Sequence, residues 1–463
     1  MALPTARSGL LRANITVASG TALSRLTGLI RVIVFGVVIG QTALADAYDV
    51  ANNAPNVVYE LLLGGILTAS LVPLFTRYMH QCQNDAPSEN NDRDAVSAIA
   101  SVSVVVLAAI TALAIALAPM IFRLFSLNVS EQIDANVFRQ AGTMLTRLFL
   151  IQIFFYGVTS ICTSILHARK LFFAAAWTPV LANLVTIASL LFVRNISLVD
   201  PPTLNEVVNN RSLQLLLGLG STSGIVVMAL GMVIALNRNG IKLSWKFDLE
   251  HPAVRQLIKL SGWAIGYIAV NQIALVVIKN LAQPGSGNVD AYAKAYTFFS
   301  LPHGLLAVSI ATTFVPELAR AATGNNKSEF REKFVSGLRL TALVTVPTSV
   351  FLVVFAKPIV ATLLQYGNFD AIATANTARA LTGLAVGLSG FSIYLFVLRG
   401  FYARNDTRTP FFINVFENFL NILFAFLLVG KYDVLGLGLA FSFAYLLSAG
   451  VALFALNASL KSS

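Results

Sequence analysis

About twelve apolar runs follow one another along this chain, and they restrict it to a bundle of membrane-spanning helices. A bilayer's hydrocarbon layer is crossed by roughly 20 apolar residues in helical form. The expected spans are 13–40, 46–79, 95–125, 140–166, 171–193, 213–236, 256–281, 289–319, 333–364, 375–402, 409–430 and 434–456. Inside lipid every backbone N–H and C=O must find its partner within the protein, so runs of this length are helices. Composition agrees: 56% of the 463 residues are hydrophobic and 11% are charged, with a mean hydropathy of +0.75. A soluble domain carries about 25% charged residues. The fold class read from the sequence is therefore an all-α polytopic membrane protein. Pro73, Pro119, Pro179, Pro302, Pro316 and Pro347 fall within the runs and predict kinks.

The net charge of +11 does not indicate nucleic acid, because no basic soluble domain carries it. Lysine and arginine gather instead in alternate loops: 77–94, 167–170, 237–259, 320–333 and 403–409. That bias places those loops and both termini in the cytoplasm. The chain has two cysteines, Cys82 and Cys162, which form no disulfide framework. No cleaved signal peptide is expected. No phosphate-binding loop, paired-histidine metal motif or nucleophile elbow is found, so the chain reads as a transporter without an ATP motor and not as an enzyme.

A weak repeat relates the two halves. Leu71-Val72-Pro73-Leu74-Phe75-Thr76-Arg77 is echoed by Phe314-Val315-Pro316-Glu317-Leu318-Ala319-Arg320, and Ala168-Arg169 by Ala403-Arg404. Six helices per copy imply two parallel lobes around a central cavity, 1–236 and 256–463. The basic, amphipathic connection 237–255 between them is expected at the cytoplasmic surface, either lying on the membrane or as a plain linker.

Polar residues inside the runs are few. Arg25 and Arg31 share the first one. An arginine at membrane depth costs at least about 2.5–3.5 kcal/mol on insertion scales. Six positions are about 600° of helix, so the two lie roughly 120° and 9 Å apart. Together they could hold a spread-out anion such as a diphosphate. Glu60 is the evident internal partner. Asp46 opens the second run, where a helix dipole alone accounts for an acid. Lys279 and Lys294 lie near segment ends and could snorkel. Asn414, Asn418 and Asn421 form one stripe, joined by Glu417 and by Asn271 of the seventh run. The stripe is a candidate sodium or proton site, with helix–helix hydrogen bonding as the alternative.

Ser24-Arg25-Leu26-Thr27-Gly28-Leu29-Ile30-Arg31, Ala45-Asp46-Ala47-Tyr48, Ala54-Pro55-Asn56 and Leu67 to Pro73 resemble the first two helices of the MurJ/MviN lipid II flippases. Leu364 to Phe369 resembles that family's late periplasmic loop, and Gly400 to Arg404 with Thr409-Pro410 its helix 10–11 turn. Tyr59 to Gly65 looks closest to the actinobacterial branch. The resemblance implies a MOP-superfamily fold of two six-helix lobes in the bacterial cytoplasmic membrane. It also implies alternating access that carries undecaprenyl-diphosphate-linked muropeptide to the outer leaflet. Arg25 and Arg31 carry over as headgroup contacts, Ser24 as their neighbour and Asp46 as a required acid. Departures are Val32 and Gly64 where acids are frequent, Tyr59 and Glu60 where bases are, and Thr297 where a third arginine is expected. Glu60 and Lys294 are the nearest substitutes. Twelve segments are read here, against the family's usual fourteen.

The implied partners are lipid II, membrane lipids and cell-wall synthesis proteins. No cofactor is implied beyond sodium, protons or the membrane potential, which is worth about 2.3 kcal/mol per charge per 100 mV. The alternatives are a flippase for another polyprenyl-linked oligosaccharide, a cation-coupled multidrug exporter of the same superfamily, and a non-transporting scaffold. Paired arginines disfavour the exporter, whose cationic cargo prefers acids.

Overall fold

The computed structural model describes residues 4–61, 75, 89–241, 243–248, 262–324 and 326–462, and among these every regular element is helical. In chain order they are α1 (Pro4–Ile39), α2 (Ala43–Tyr59), α3 (Glu89–Ala116), α4 (Ala118–Leu124), α5 (Ala135–Leu150), α6 (Gln152–Ala168), α7 (Phe173–Ile196), α8 (Leu204–Asn209) and α9 (Arg211–Arg238). Then come α10 (Gly262–Leu281), α11 (Asn288–Pro302), a π turn (His303–Ala307), α12 (Val308–Thr323), α13 (Lys327–Leu364), α14 (Ala371–Val386), α15 (Leu388–Ala403), α16 (Arg408–Tyr432) and α17 (Val434–Ser462). Among the described residues nine stretches are long and apolar enough to cross a membrane, and α14 with α15 makes a tenth. The other two expected spans are represented by α2 and α10; the remainder of 46–79 beyond Leu61, Phe75 apart, and the start of 256–281 lie outside the described residues. So does the first copy of the Val-Pro repeat, except Phe75, which is fully buried.

Side chains cap several helix starts in the usual way. Asn210 accepts the Leu213 N–H at 3.1 Å, Asn326 that of Glu329 at 3.1 Å, and Asp370 that of Ala373 at 2.8 Å. Prolines mark the breaks: Pro119 falls in the first turn of α4, and Pro302 directly precedes the π turn. A different device bends α14 against α15 by 46°. At that junction the Ser442 hydroxyl of α17 donates to the Gly383 carbonyl at 2.6 Å and lies 3.1 Å from that of Leu384, while Ser349 of α13 donates to Ala385 O.

The chain divides into two compact units. The first comprises Met1–Val38, Val50–Leu124 and Asn136–Ile268. Its core gathers Ile99, Leu107, Ile153, Ile165 and Met232, all buried. Within it α7 and α9 pack closely through small residues: a Cβ on Gly224 would stand 2.6 Å from the Ala182 carbonyl oxygen. Residues 243–248, expected to connect the lobes, are not helical and belong to this first unit; the N–H groups of Ser244 and Lys246 donate to the hydroxyls of Ser97 (3.2 Å) and Ser101 (3.0 Å), one turn apart on α3. The second unit comprises Ile39–Asp49, Phe125–Ala135 and Ala269–Ser463. Phe330, Phe334, Phe396 and Phe401 fill part of its core, with the Phe330 and Phe334 rings stacked at 6.3 Å.

Candidate functional site

In the first unit α1 holds Arg25 and Arg31, both half-buried, as is Ser24. Among the described residues no ion pair involves either arginine. Glu60, expected as their partner, is exposed in the π-helical residues that follow α2. Two cationic groups thus stand on one apolar span with no acid paired to them among the described residues, an arrangement whose charge suits a multivalent anion. The flanks of α1 are apolar, and Leu26 and Ile30 are 53% and 40% exposed.

In the second unit Asp46 is fully buried in the first turn of α2. Its Oδ2 accepts the N–H of Gly285 (2.8 Å) and of Gly287 (2.9 Å), and its Oδ1 accepts that of Asp290 (2.8 Å). Helix α11 begins with Gly287 as N-cap, and glycine has no side chain to satisfy the first N–H groups. Asp46 supplies that cap from 241 residues away in sequence. Gly287 has φ +86°, a conformation that glycine adopts without strain. The expected substrate acid is thus committed to the loop that opens α11.

Lys294 does not stand free for a headgroup either. It is buried, paired with Asp290 one turn back, and lies 5.5 Å from the centre of the Phe369 ring. Lys279 does not snorkel but pairs with Asp49 of α2 at 2.7 Å. Thr297, at the third-arginine position, donates its hydroxyl proton to Ala293 O at 3.1 Å. Around the same loop runs a chain of amides: Gln41 donates to Thr377 at 2.9 Å, Asn376 donates to Gln41 at 3.1 Å and to Asn288 at 2.8 Å, and Asn288 donates to Asp433 at 2.9 Å. Reading the sequence missed Asp49, Asp290, Asn288, Asn376 and Gln41. The only local sign was the Asp290–Lys294 spacing, which suits an i,i+4 pair.

The asparagine stripe also comes together. Asn414 and Asn418 of α16 both donate to Asn271 Oδ1 of α10, at 3.2 and 3.0 Å, and the Asn418 amide lies 2.9 Å from Glu417 Oε2. Asn414 Oδ1, Glu417 Oε1 and Asn421 Oδ1 are buried and accept no hydrogen bond among the described residues. Buried oxygens without donors are what a desolvated cation would need. Among the described residues no three His, Cys, Asp or Glu side chains gather as a metal-binding group.

Comparison with known proteins gives one consistent result. The family model described as lipid II flippase MurJ matches residues 36–462. The lipid II flippase MurJ of Burkholderia cenocepacia is 30% identical over 403 residues, which cover 87% of this chain and 75% of that protein. The probable lipid II flippase MurJ of Haemophilus influenzae is 27% identical over 454 residues, or 93% of this chain and 84% of its own. Among solved structures, a lipid II flippase MurJ in an inward closed conformation matches with a TM-score of 0.77 at 23% identity, over 96% of this chain and 87% of that one. An inward-facing multidrug-resistance MATE family transporter of the MOP superfamily matches with a TM-score of 0.76 at 14% identity, over 97% and 98%. At such identities the two structures establish the shared fold alone.

Proposed function

The chain belongs to the lipid II flippase MurJ family, and from that membership we propose how it handles its substrate. It is a multi-pass membrane transporter with the MOP-type helical fold, a lipid II flippase and not an enzyme. The diphosphate of lipid II binds Arg25 and Arg31, and the isoprenoid tail stays in lipid while alternating access exposes the headgroup outside. The observation that supports this reading is the presence of two half-buried guanidiniums on one span, unpaired among the described residues. Asp46, Asp290 and Lys294 serve as the framework at the start of α11.

The test is the amount of lipid II that reaches the outer leaflet in cells depleted of their own flippase. The parent chain restores it, whereas Arg31→Ala at equal abundance does not. Full activity of Arg31→Ala would remove the arginines from the site. A parent that moved a different polyprenyl-linked oligosaccharide would change the substrate and leave the fold intact.

Both termini and the 403–409 turn lie in the cytoplasm in this reading, on the strength of the basic loops. A cysteine at Asn405 in a cysteine-free background is then labelled only from the cytoplasmic side; labelling from outside inverts the topology. Sodium or protons couple at Asn271, Asn414, Glu417, Asn418 and Asn421, supported by the three unmatched buried oxygens.

A further inference from the structure

An apolar helix surface packs without directional preference, so it fixes poorly how far a helix is rotated about its axis. Helix α1 is such a surface, and its rotation decides where Arg25 and Arg31 point. Hydrogen bonds are directional, and α7 of the same unit makes three sets of them to α1. Trp177 Nε1–H donates to Thr16 O at 3.0 Å, and Arg194 reaches Val37 O at 3.4 Å. Between these the Asn183 amide donates to Ser24 O at 3.1 Å and to Thr27 Oγ1 at 3.1 Å. The Thr27 hydroxyl donates in turn to Leu23 O at 2.9 Å.

Of these three, Asn183 is the one that grips the turn carrying Arg25, six residues before Arg31. Asn183 and Thr27 are 8% and 6% exposed, so water offers them little competition. Gly28 lies beside the amide, where a Cβ would stand in ordinary contact at 3.6 Å from Asn183 Nδ2. Asn183 lies between Ala182 and Leu184 in the middle of an apolar helix, where an amide is retained only if it is bonded.

We propose that Asn183 is a positioning residue for the two substrate-binding arginines, setting the rotation of α1 through Ser24 and Thr27. This rests on the reading that Arg25 and Arg31 bind the diphosphate. A rotation of about 20° moves a group about 6 Å from the helix axis by roughly 2 Å. A misplacement of about 1 Å at a reacting or binding group can lower a rate about 10²-fold.

The experiment measures outer-leaflet lipid II in flippase-depleted cells expressing the parent, Asn183→Leu, Arg31→Gln and the double variant, each corrected for membrane abundance. Asn183→Leu lowers transport ten-fold or more. The double variant transports no less than Arg31→Gln alone, because the contact that Asn183 positions is already gone. A purely structural role would not produce that dependence on Arg31. Thr27→Val, nearly isosteric, removes the side-chain one of the two Asn183 bonds from the α1 side, lowers transport to a smaller extent, and is the variant to read where Asn183→Leu fails to accumulate. Parental transport in Asn183→Leu or Thr27→Val, or losses that multiply in the double variant, overturn the proposal. A silent parent refutes the transport reading itself, so the two failures are told apart.

Discussion

Replacing Asp46 by asparagine separates two roles that its position in the family pattern would leave merged. The carboxylate takes N–H bonds from Gly285, Gly287 and Asp290 at 2.8–2.9 Å and is fully buried. A hydrogen bond to a charged group contributes about 1.5–3 kcal/mol, a neutral one about 0.5–1.5, and an orphaned buried donor costs about 1–3. In Asp46→Asn the amide oxygen can keep two of the three bonds in neutral form, losing about 1 kcal/mol on each. Its NH₂ then faces the third N–H, which is left without an acceptor at about 1–3 kcal/mol more. The loop opening α11 thus becomes easier to detach by about 3–5 kcal/mol in all, which is roughly a hundred- to several-thousand-fold in the opening equilibrium. Amide hydrogen exchange followed by mass spectrometry on peptides covering 283–295 reads this directly. Exchange there should accelerate by that order, with little change over α16 and α17. If Asp46→Asn abolished transport while exchange over 283–295 stayed at the parental rate, Asp46 would be a substrate contact and the capping argument would be wrong.

Lys294→Ala strands the buried Asp290 carboxylate and should destabilise the protein by about 3–5 kcal/mol. Combining Asp290→Asn with Lys294→Met should recover most of that in a thermal melt of the detergent-solubilised protein, and an additive double loss would show the pair uncoupled. Transport should fall when external sodium is replaced by choline or when the proton gradient is collapsed, and Glu417→Gln should remove whichever dependence the parent shows. A Glu417→Gln variant that keeps the parental ion response would take the stripe out of coupling.

Much of the architecture was legible because apolar length is a one-dimensional signal. Helix ends such as 364 and 434 fall where the runs end. The stripe on α16 was legible for a related reason, since spacing within one helix reports one face. The clasp around Asp46 was not, because its donors are backbone N–H groups, which carry no residue identity. Lys279 and Lys294 looked like snorkelling ends. Asp49, the acid of Lys279, appears only once α2 and α10 are brought together, whereas Asp290 stands one turn before Lys294 on α11 itself. Asn183 left a faint trace, an amide in an apolar run, but nothing in the sequence told which helix it would hold.

The 46° bend between α14 and α15 belongs to three helices and not to one. The carbonyls of Gly383, Leu384 and Ala385 are served by Ser442 and Ser349, which lie on α17 and α13. A peptide of residues 371–403 excised into a bilayer would lack those hydroxyls, and a straight helix would be the cheapest way to satisfy its backbone. The angle is therefore stored in the neighbours, and any sliding of α17 along this junction would be transmitted as a change of direction in α15.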